Sequence, residues 1–169
     1  IGAAYGSAGE RCMAVSVAVA VGDIADKLVQ QIHLKSQQLI VAPWTYKELI
    51  EEDSETGEKF YKTADMGPVI SKEHKEKIEN YISQGLKEGA KLIEDGRNFK
   101  LQGYENGYFI GPTLFDNVTK DMTIYKEEIF GPVLSIVRAQ NYEEALNLVN
   151  DHQLGNGTSV YTSDGETAR

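Results

Sequence analysis

The segment Ala14–Val21, with the sequence AVSVAVAV, has a valine at every second position and a small residue at each position between. An alternation with a period of two is typical of a β-strand, and small residues on the second face allow a close neighbour there. The segment therefore predicts a strand with bulky side chains on one face and small ones on the other, both faces being covered.

Predicted helices and strands alternate along the rest of the chain. Helices are expected after the capping residues Asp23, Ser71 and Asn141, the last with Glu144 three positions later. Their predicted apolar faces are Ile24, Leu28 and Ile32, then Ile78, Tyr81, Ile82 and Leu86, then Tyr142, Ala145, Leu146 and Val149. Further strands are predicted within residues 88–96, after the reversal at Asn106-Gly107, at Pro132–Val137 and at Gly157–Thr162. Helices between strands imply crossovers, which predicts one α/β domain with a mostly parallel sheet.

The bulk composition narrows the class of protein. The chain has 169 residues, of which 41% are hydrophobic and 25% are charged, as in ordinary globular domains. Its formal net charge of −9 disfavours a broad surface for nucleic acid or anionic membranes. No apolar run reaches the ~18–20 residues that cross a bilayer. We therefore expect neither a nucleic acid nor a membrane as a partner.

The segment Ala8–Met13, AGERCM, contains the only cysteine of the chain. A single cysteine excludes an intrachain disulfide and suits a reducing compartment. Cys12 allows two interpretations, a small buried apolar residue or a nucleophile. It lies between a stretch of small residues and a predicted strand, where α/β proteins place ligands. The neighbouring Arg11 favours the thiolate, whereas Glu10 opposes that effect.

The three histidines, His33, His74 and His152, lie in an amphipathic helix, a charged first turn and a polar loop. We interpret them as ordinary surface or helix residues, none of which pairs with Cys12. A papain-type protease is therefore disfavoured, and no metal site is expected because ligands at plausible spacing are lacking.

The segment Tyr125–Val137, YKEEIFGPVLSIV, joins two carboxylates, an aromatic ring and Gly-Pro to a predicted buried strand. In an extended chain, Glu128 and Phe130 point the same way. A carboxylate can accept hydrogen bonds from a ribose diol, and an aromatic ring beside it can brace a flat ring. The alternative is a solvated glutamate pair followed by a core phenylalanine.

Two more segments stand out. In Leu154–Thr162, LGNGTSVYT, Gly155 and Gly157 flank Asn156 and permit a close backbone approach before a strand. This segment lacks the established phosphate-loop patterns, so it is a weak candidate for phosphate binding. The stretch from Trp44 to Lys62 is polar, acidic and aperiodic, which predicts a surface insertion.

The order of these segments resembles the aldehyde dehydrogenase superfamily. The likeness runs from GSAGERCMAVS through MGPVIS, GLKEGAKLI, GPTLFDNV and EEIFGPV to the end of the chain. Within the superfamily, GERCMA, GYENGYFIGPT, YKEEIFGPV and GNGTSVYT are most similar to the branch of methylmalonate-semialdehyde dehydrogenases. The resemblance implies a three-layer αβα catalytic domain over residues 1–169, incomplete at both ends, with the NAD-binding Rossmann domain absent from this chain.

The resemblance also implies roles for individual residues. Cys12 matches the nucleophile, which forms a thiohemiacetal and, after hydride transfer to NAD, a thioester. Its backbone N–H matches one oxyanion donor. Glu128 matches the carboxylate that holds the nicotinamide ribose, and Phe130 matches the aromatic residue packed nearby. Coenzyme A as the acyl acceptor, and a decarboxylation, rest on the resemblance alone.

Arg11 gains a specific role, because this branch takes substrates that carry a carboxylate. A guanidinium next to the nucleophile can bind that carboxylate in a bidentate pair. The alternative is an arginine that bridges to surface acids. The sequence departs from the family pattern at Glu10, where glutamine is often expected, and in the insertion at residues 44–62, which is longer than the usual connection.

The function implied is NAD-dependent oxidation of methylmalonate or malonate semialdehyde to an acyl-CoA by a homotetramer, mitochondrial in a eukaryote and otherwise cytoplasmic. The chain begins at Ile1 and stops at Arg169 within a helix-like phrase, so we expect a fragment that is inactive by itself. Two alternatives stay open. One is a hydrolytic NAD(P)-dependent semialdehyde dehydrogenase, and the other is a non-catalytic module that retains the fold.

Overall fold

The computed structural model describes residues 1–44, 50–61 and 63–168. Its helices are α1 (Gly2–Tyr5), α2 (Ile24–Ser36), α3 (Lys72–Lys87), α4 (Thr123–Lys126) and α5 (Tyr142–Asn150). Its strands are β1 (Val17–Val21), β2 (Ile50–Glu52), β3 (Lys59–Tyr61), β4 (Lys91–Glu94), β5 (Thr113–Asp116) and β6 (Val133–Ala139). A four-stranded sheet has the order β1-β6-β5-β4, and β2 pairs with β3 separately.

The four-stranded sheet is mostly parallel. Strand β6 pairs in parallel with β1 on one side and with β5 on the other, while β4 is antiparallel to β5. This confirms the predicted α/β class. The strand predicted at Ala14–Val21 begins at Val17 and lies at the edge of the sheet. Its coverage is therefore incomplete, and Val21 is 36% exposed.

Helices cover both faces of the sheet. Phe115 and Asp116 are adjacent on β5 and so point to opposite faces. On the Phe115 face, α3 comes so close that a Cβ added at Gly85 would lie 3.2 Å from the phenylalanine Cζ. On the other face, Arg138 of β6 donates hydrogen bonds to Asp116 and to Asp26 of α2. The predicted three-layer arrangement is therefore present.

The predicted helix starts agree with the structure. The Ser71 Oγ accepts a hydrogen bond from the backbone N–H of His74, and the Asn141 Oδ1 accepts one from that of Glu144. Helix α2 begins after Asp23 as predicted, although the aspartate side chain forms no capping hydrogen bond. Local capping patterns were therefore a sound guide to where these helices begin.

The predicted apolar faces of the helices are partly wrong. The residues expected to be buried but found exposed are Ile24, Leu86, Tyr142, Leu146 and Val149. The buried side of α2 consists of Ala25, Val29 and Ser36, so the buried face is rotated by one residue from the predicted face. In α3, Gly85 rather than Leu86 faces the sheet. Helix α5 packs on β1 and β6 at the edge of the sheet, which leaves much of its apolar face uncovered.

The strand predicted at Gly157–Thr162 is wrong. No residue of this segment is in a strand, and Val160 and Tyr161 are 55% and 93% exposed. A strand needs a neighbour to receive its backbone hydrogen bonds, and no described residue pairs with this segment.

The insertion predicted at residues 44–62 contains the hairpin of β2 and β3. Its turn is closed by Asp53, whose Oδ1 accepts from the backbone N–H groups of Glu55 and Thr56. These hydrogen bonds lower the pKa of Asp53. Residues 52–59 are exposed, while residues 45–49 and 62 lie outside the described residues, so the surface insertion stays a prediction.

Candidate active site

Cys12 follows a turn of unusual backbone geometry, and we call residues 6–13 the Cys12 loop. Ser7, Ala8 and Gly9 have φ values of 53°, 55° and 68°, so three successive residues are in the left-handed region. Non-glycine residues rarely adopt this conformation, and they store strain when they do. Arg11 stabilises the turn, because its Nε donates a hydrogen bond of 2.8 Å to the Ser7 Oγ.

Cys12 and Arg11 are both exposed. The interpretation of Cys12 as a buried apolar residue is therefore wrong. Among the residues that the structure describes, none forms an ion pair with Arg11, so the alternative of a bridge to surface acids finds no support there. The guanidinium is bound only through Nε to Ser7 within that part of the chain, and its Nη atoms are available to a ligand.

The segment between α4 and β6 carries Glu128 and Phe130, and we call residues 127–132 the Glu128 loop. The prediction assumed an extended chain here, but Phe130 has a φ of 56° and no strand forms. Ile129 is only 4% exposed, whereas Phe130 is 37% exposed and Glu128 is also exposed. Burial of Ile129 anchors the loop and leaves the carboxylate and the ring at the surface. The alternative of a core phenylalanine is therefore wrong.

The two loops touch at a pair of glycines. A Cβ added at Gly9 would overlap the carbonyl oxygen of Gly131, and Gly9 also has a positive φ. Only glycine fits at this position. Gly131 in turn packs against α3, since a Cβ there would lie 2.5 Å from the Ile78 Cδ1. The contact places Cys12 and Glu128 on adjoining loops.

His74, in the first turn of α3, contacts both loops. Its Nε2 lies 2.6 Å from the carbonyl oxygen of Phe130 and 3.4 Å from the Glu10 Oε1. Glu10 also accepts a hydrogen bond of 3.2 Å from the backbone N–H of Ile70. Sequence analysis interpreted His74 as an ordinary surface or helix residue, because both partners of its ring are distant in the chain and no local pattern marks them.

Residues 154–162 also reach the Cys12 loop. The Asn156 Nδ2 donates a hydrogen bond of 3.0 Å to the Cys12 carbonyl oxygen. A Cβ added at Gly157 would lie 2.6 Å from the Met13 Cε, which agrees with the predicted close backbone approach. The flanking glycines were the only signal in the sequence, and the role of the Asn156 amide was missed.

The two adjacent glutamates of the Glu128 loop differ in their hydrogen bonding. The Tyr81 hydroxyl of α3 donates a hydrogen bond of 2.6 Å to the Glu127 Oε2, and this bond raises the pKa of Tyr81 to about 12. The tyrosine therefore remains protonated and keeps donating at neutral pH. No described residue donates to the Glu128 carboxylate, so Glu128 is the one that can accept hydrogen bonds from a ligand.

Neither a metal centre nor a membrane span is found in the described residues. No group of three or more His, Cys, Asp and Glu side chains within ranges 1–44, 50–61 and 63–168 could hold a metal ion. In the same ranges no helix combines the length and the apolar character that a bilayer crossing requires.

Comparison with known proteins decides the family. The model of the aldehyde dehydrogenase family matches residues 1–169. This chain belongs to the aldehyde dehydrogenase family. The match covers the Cys12 loop, the Glu128 loop and the segment that carries Asn156, so all three parts of the site lie within the family match.

Several aldehyde dehydrogenases are similar over the whole chain. Malonate-semialdehyde dehydrogenase of Pseudomonas aeruginosa is 48% identical over 170 residues, which cover 100% of this chain and 31% of the relative. The mitochondrial methylmalonate-semialdehyde/malonate-semialdehyde dehydrogenase of Bos taurus, named as acylating, is 44% identical over 169 residues, or 100% of this chain and 28% of the relative.

A solved structure gives the same likeness in three dimensions. A protein of Sinorhizobium meliloti, assigned as methylmalonate-semialdehyde dehydrogenase and complexed with NAD, superposes with a TM-score of 0.87 at 54% identity. The superposition covers 99% of this chain and 31% of the other. The chain thus spans about a third of the length of these relatives.

Proposed function

We propose that the full-length protein is a NAD-dependent aldehyde dehydrogenase that oxidises malonate or methylmalonate semialdehyde and passes the acyl group to coenzyme A. The observation that carries the proposal is the contact of the Cys12 loop with the Glu128 loop at Gly9 and Gly131. This contact brings the loop that carries the exposed Cys12 thiol against the loop that carries the exposed Glu128 carboxylate and Phe130 ring. The relatives named for these two semialdehydes support the substrate class.

Cys12 supplies the nucleophile. Its thiolate adds to the aldehyde carbon, and the resulting thiohemiacetal oxyanion accepts a hydrogen bond from the Cys12 backbone N–H. Departure of a hydride from that carbon restores the carbonyl and leaves the acyl group on Sγ as a thioester. The thiol of the acyl acceptor then attacks the thioester carbon, and the Cys12 thiolate leaves. Asn156 holds the Cys12 carbonyl oxygen and so limits movement of the peptide beside the nucleophile.

The Glu128 loop supplies the cofactor side. The exposed Glu128 carboxylate can accept hydrogen bonds from both hydroxyls of a ribose, and the exposed Phe130 ring can pack against a flat heterocycle. These side chains fit the nicotinamide ribose of NAD, the ligand in the Sinorhizobium meliloti structure. When bound, NAD supplies the hydride acceptor. The buried Ile129 keeps the carboxylate and the ring at the surface.

Arg11 binds the carboxylate of the substrate. Its Nε is held by Ser7, which orients the planar guanidinium and leaves the Nη atoms for a bidentate pair. Because Arg11 is adjacent to Cys12, the bidentate ion pair between its guanidinium and the substrate selects aldehydes whose carboxylate lies close to the reacting carbon.

The acyl acceptor and the cellular setting come from the relatives. Coenzyme A is proposed because the bovine relative is named as acylating, and a mitochondrial location in a eukaryote follows from the same name. In a bacterium the location would be cytoplasmic. We propose a homotetramer for the full-length protein.

The test is NADH formation by the full-length protein with malonate semialdehyde and NAD, with and without coenzyme A. We expect NADH formation that depends on coenzyme A and is abolished by Cys12→Ala. Formation that is indifferent to coenzyme A would assign water as the acceptor. The absence of NADH formation with any carboxylated aldehyde would favour a non-catalytic module, and an active Cys12→Ala variant would exclude Cys12 as the nucleophile.

A further inference from the structure

One face of α3 follows the Glu128 loop. His74, Ile78 and Tyr81 are spaced by four and three residues, so they lie on one stripe of the helix. His74 meets the Phe130 carbonyl, Ile78 packs against the glycine that follows, and Tyr81 binds the glutamate at the start of the loop. Helix α3 therefore holds the cofactor side of the site at three points.

Of these three residues, His74 also reaches the Cys12 loop, through Glu10. The side chains of His74 and Glu10 are 16% and 14% exposed, so their interaction is largely shielded from water. The Glu10 carboxylate is held in place by the backbone N–H of Ile70, just before α3. The imidazole thus lies between a carbonyl of one loop and a carboxylate of the other.

The hydrogen-bond partners of His74 determine which nitrogen of its ring carries a hydrogen. A carbonyl oxygen only accepts, so at 2.6 Å the His74 Nε2 must carry the hydrogen, and the Glu10 Oε1 lies 3.4 Å from the same nitrogen. Phe130 has a φ of 56°, which a bulky residue adopts only when its surroundings impose it. The hydrogen bond to its carbonyl oxygen fixes the orientation of that peptide.

We infer that His74 is a positioning residue: its Nε2–H fixes the Phe130 peptide while its ring lies against the Glu10 carboxylate, and this arrangement sets the spacing between the nucleophile and the ribose-binding carboxylate. This inference rests on the proposed function. The role requires an N–H donor at this distance, not a charge. It is also separate from the start of α3, because Ser71 caps the helix through the backbone N–H of His74, which a side-chain substitution retains.

The test compares variants of the full-length protein. His74→Gln keeps a donor at the end of a side chain of similar reach, whereas His74→Asn is too short and His74→Leu has no donor. Lys72→Ala, on an exposed residue of the same helix turn, is the matched control. The readouts are KM for NAD, KM for the aldehyde, kcat, the melting temperature, and the Kd for NADH from its fluorescence.

We expect His74→Asn and His74→Leu to raise KM for NAD and Kd for NADH about tenfold, with KM for the aldehyde changed less than about twofold. His74→Gln should restore cofactor binding to within about threefold of the wild type. Lys72→Ala should match the wild type. If one breaking variant fails to fold, the other gives the comparison.

Three results in the variants would overturn the inference. One is wild-type cofactor binding in the breaking variants. The second is cofactor binding as weak in His74→Gln as in His74→Asn. The third is a breaking variant with a lowered melting temperature but an unchanged Kd for NADH, which is the behaviour of a purely structural residue. A wild type that binds NADH but oxidises no aldehyde contradicts the proposed function only, because the Kd series still tests His74. A wild type that does not bind NADH overturns both.

Discussion

The two loops of the site both contain left-handed residues other than glycine, but they are held in different ways. In the Cys12 loop, the strained Ser7 is held by Arg11, which is four residues away in the chain. The Glu128 loop is held by side chains of α3 that lie 46 to 56 residues from their partners. The strained turn of the Cys12 loop is held from within that loop, whereas the Glu128 loop is held by a separate helix.

This difference separates two kinds of defect. Under the proposed function, substitutions within the Cys12 loop should act on the nucleophile and on the binding of the substrate carboxylate. Under the same proposal, substitutions on α3 should act chiefly on cofactor binding. Both kinds of defect are expected together at Gly9, where the two loops touch directly.

The largest effect is expected from Gly9→Ala, which breaks the direct contact. The new Cβ would overlap the Gly131 carbonyl oxygen, and an alanine at a φ of 68° is strained, so the loops must move apart. Transfer between reacting groups demands close alignment, and a displacement of about 1 Å lowers kcat about 100-fold. Initial rates of NADH formation give kcat and both KM values.

Gly6→Ala is the control for that experiment. Gly6 has a φ of −55°, which alanine adopts readily, and a Cβ there would lie 3.8 Å from the nearest atom, the Arg11 Nη1. We expect its kcat within about threefold of the wild type. A Gly9→Ala protein with the same kcat as Gly6→Ala would show that the glycine contact does not align the site.

The sequence predicted those features that depend on a short segment. The alternation in Ala14–Val21 gave a strand, and Ser71 and Asn141 capped helices as expected. Cys12 and Glu128 were candidates because the residues beside each one already indicated chemistry. The resemblance to the family assigned both to one site, although nothing in either segment shows that their loops touch.

The features that failed depend on distant neighbours. Which side of α2 is buried depends on where the sheet lies, so Ile24 was expected inside where Ala25 is found. The Gly157–Thr162 pattern fits a strand, but no described residue pairs with it. The role of His74 depends on a carbonyl 56 residues away. The local sequence pattern contains no information about any of these long-range contacts.

A smaller effect, confined to the substrate, is expected from Arg11→Gln. Loss of a charge-assisted bidentate pair should raise KM for malonate semialdehyde about 30-fold. The KM for propanal, which has no carboxylate, should change less than about threefold. The ratio of kcat/KM for the two aldehydes is the measurement.

Ser7→Ala is the matched variant for Arg11, because it removes the same hydrogen bond and retains the guanidinium. If Arg11 selects the substrate, Ser7→Ala should keep most of the preference for the carboxylated aldehyde. Equal losses on both aldehydes in Arg11→Gln, matched by Ser7→Ala, would instead show that Arg11 only stabilises the left-handed turn.

Asn156→Ala should have a weaker effect on the nucleophile side. One exposed hydrogen bond to the Cys12 carbonyl oxygen is lost, and kcat should fall about fivefold with KM for NAD unchanged. Asn156→Asp replaces the donor with an acceptor and should be at least as impaired. A change of about fivefold in KM for NAD would contradict the assignment of the nucleophile to one loop and of cofactor binding to the other.

The smallest effect on activity is expected from Arg138→Met, which acts on the sheet that carries both loops. Arg138 donates hydrogen bonds of 3.0 and 2.8 Å to the two carboxylate oxygens of Asp116, which is 1% exposed. Without this partner a buried charge is left unpaired, and the free energy of unfolding should fall by about 3 kcal/mol. We expect kcat within about twofold of the wild type, with urea unfolding at pH ~7 reporting the loss.

The pH dependence of the unfolding free energy identifies why Arg138→Met is less stable. Burial raises the pKa of Asp116, but hydrogen bonds from Arg138 and from the backbone N–H of Asn117 outweigh it and hold the pKa below the ordinary value of 3.8. A lowered pKa in the folded state contributes stability that is present above 3.8 and is lost as the pH falls below it. The difference in unfolding free energy between the wild type and Arg138→Met should therefore narrow as the medium is acidified. A difference that stays constant to about pH 3 would contradict an unpaired charge as its cause and indicate lost packing of the Arg138 stem.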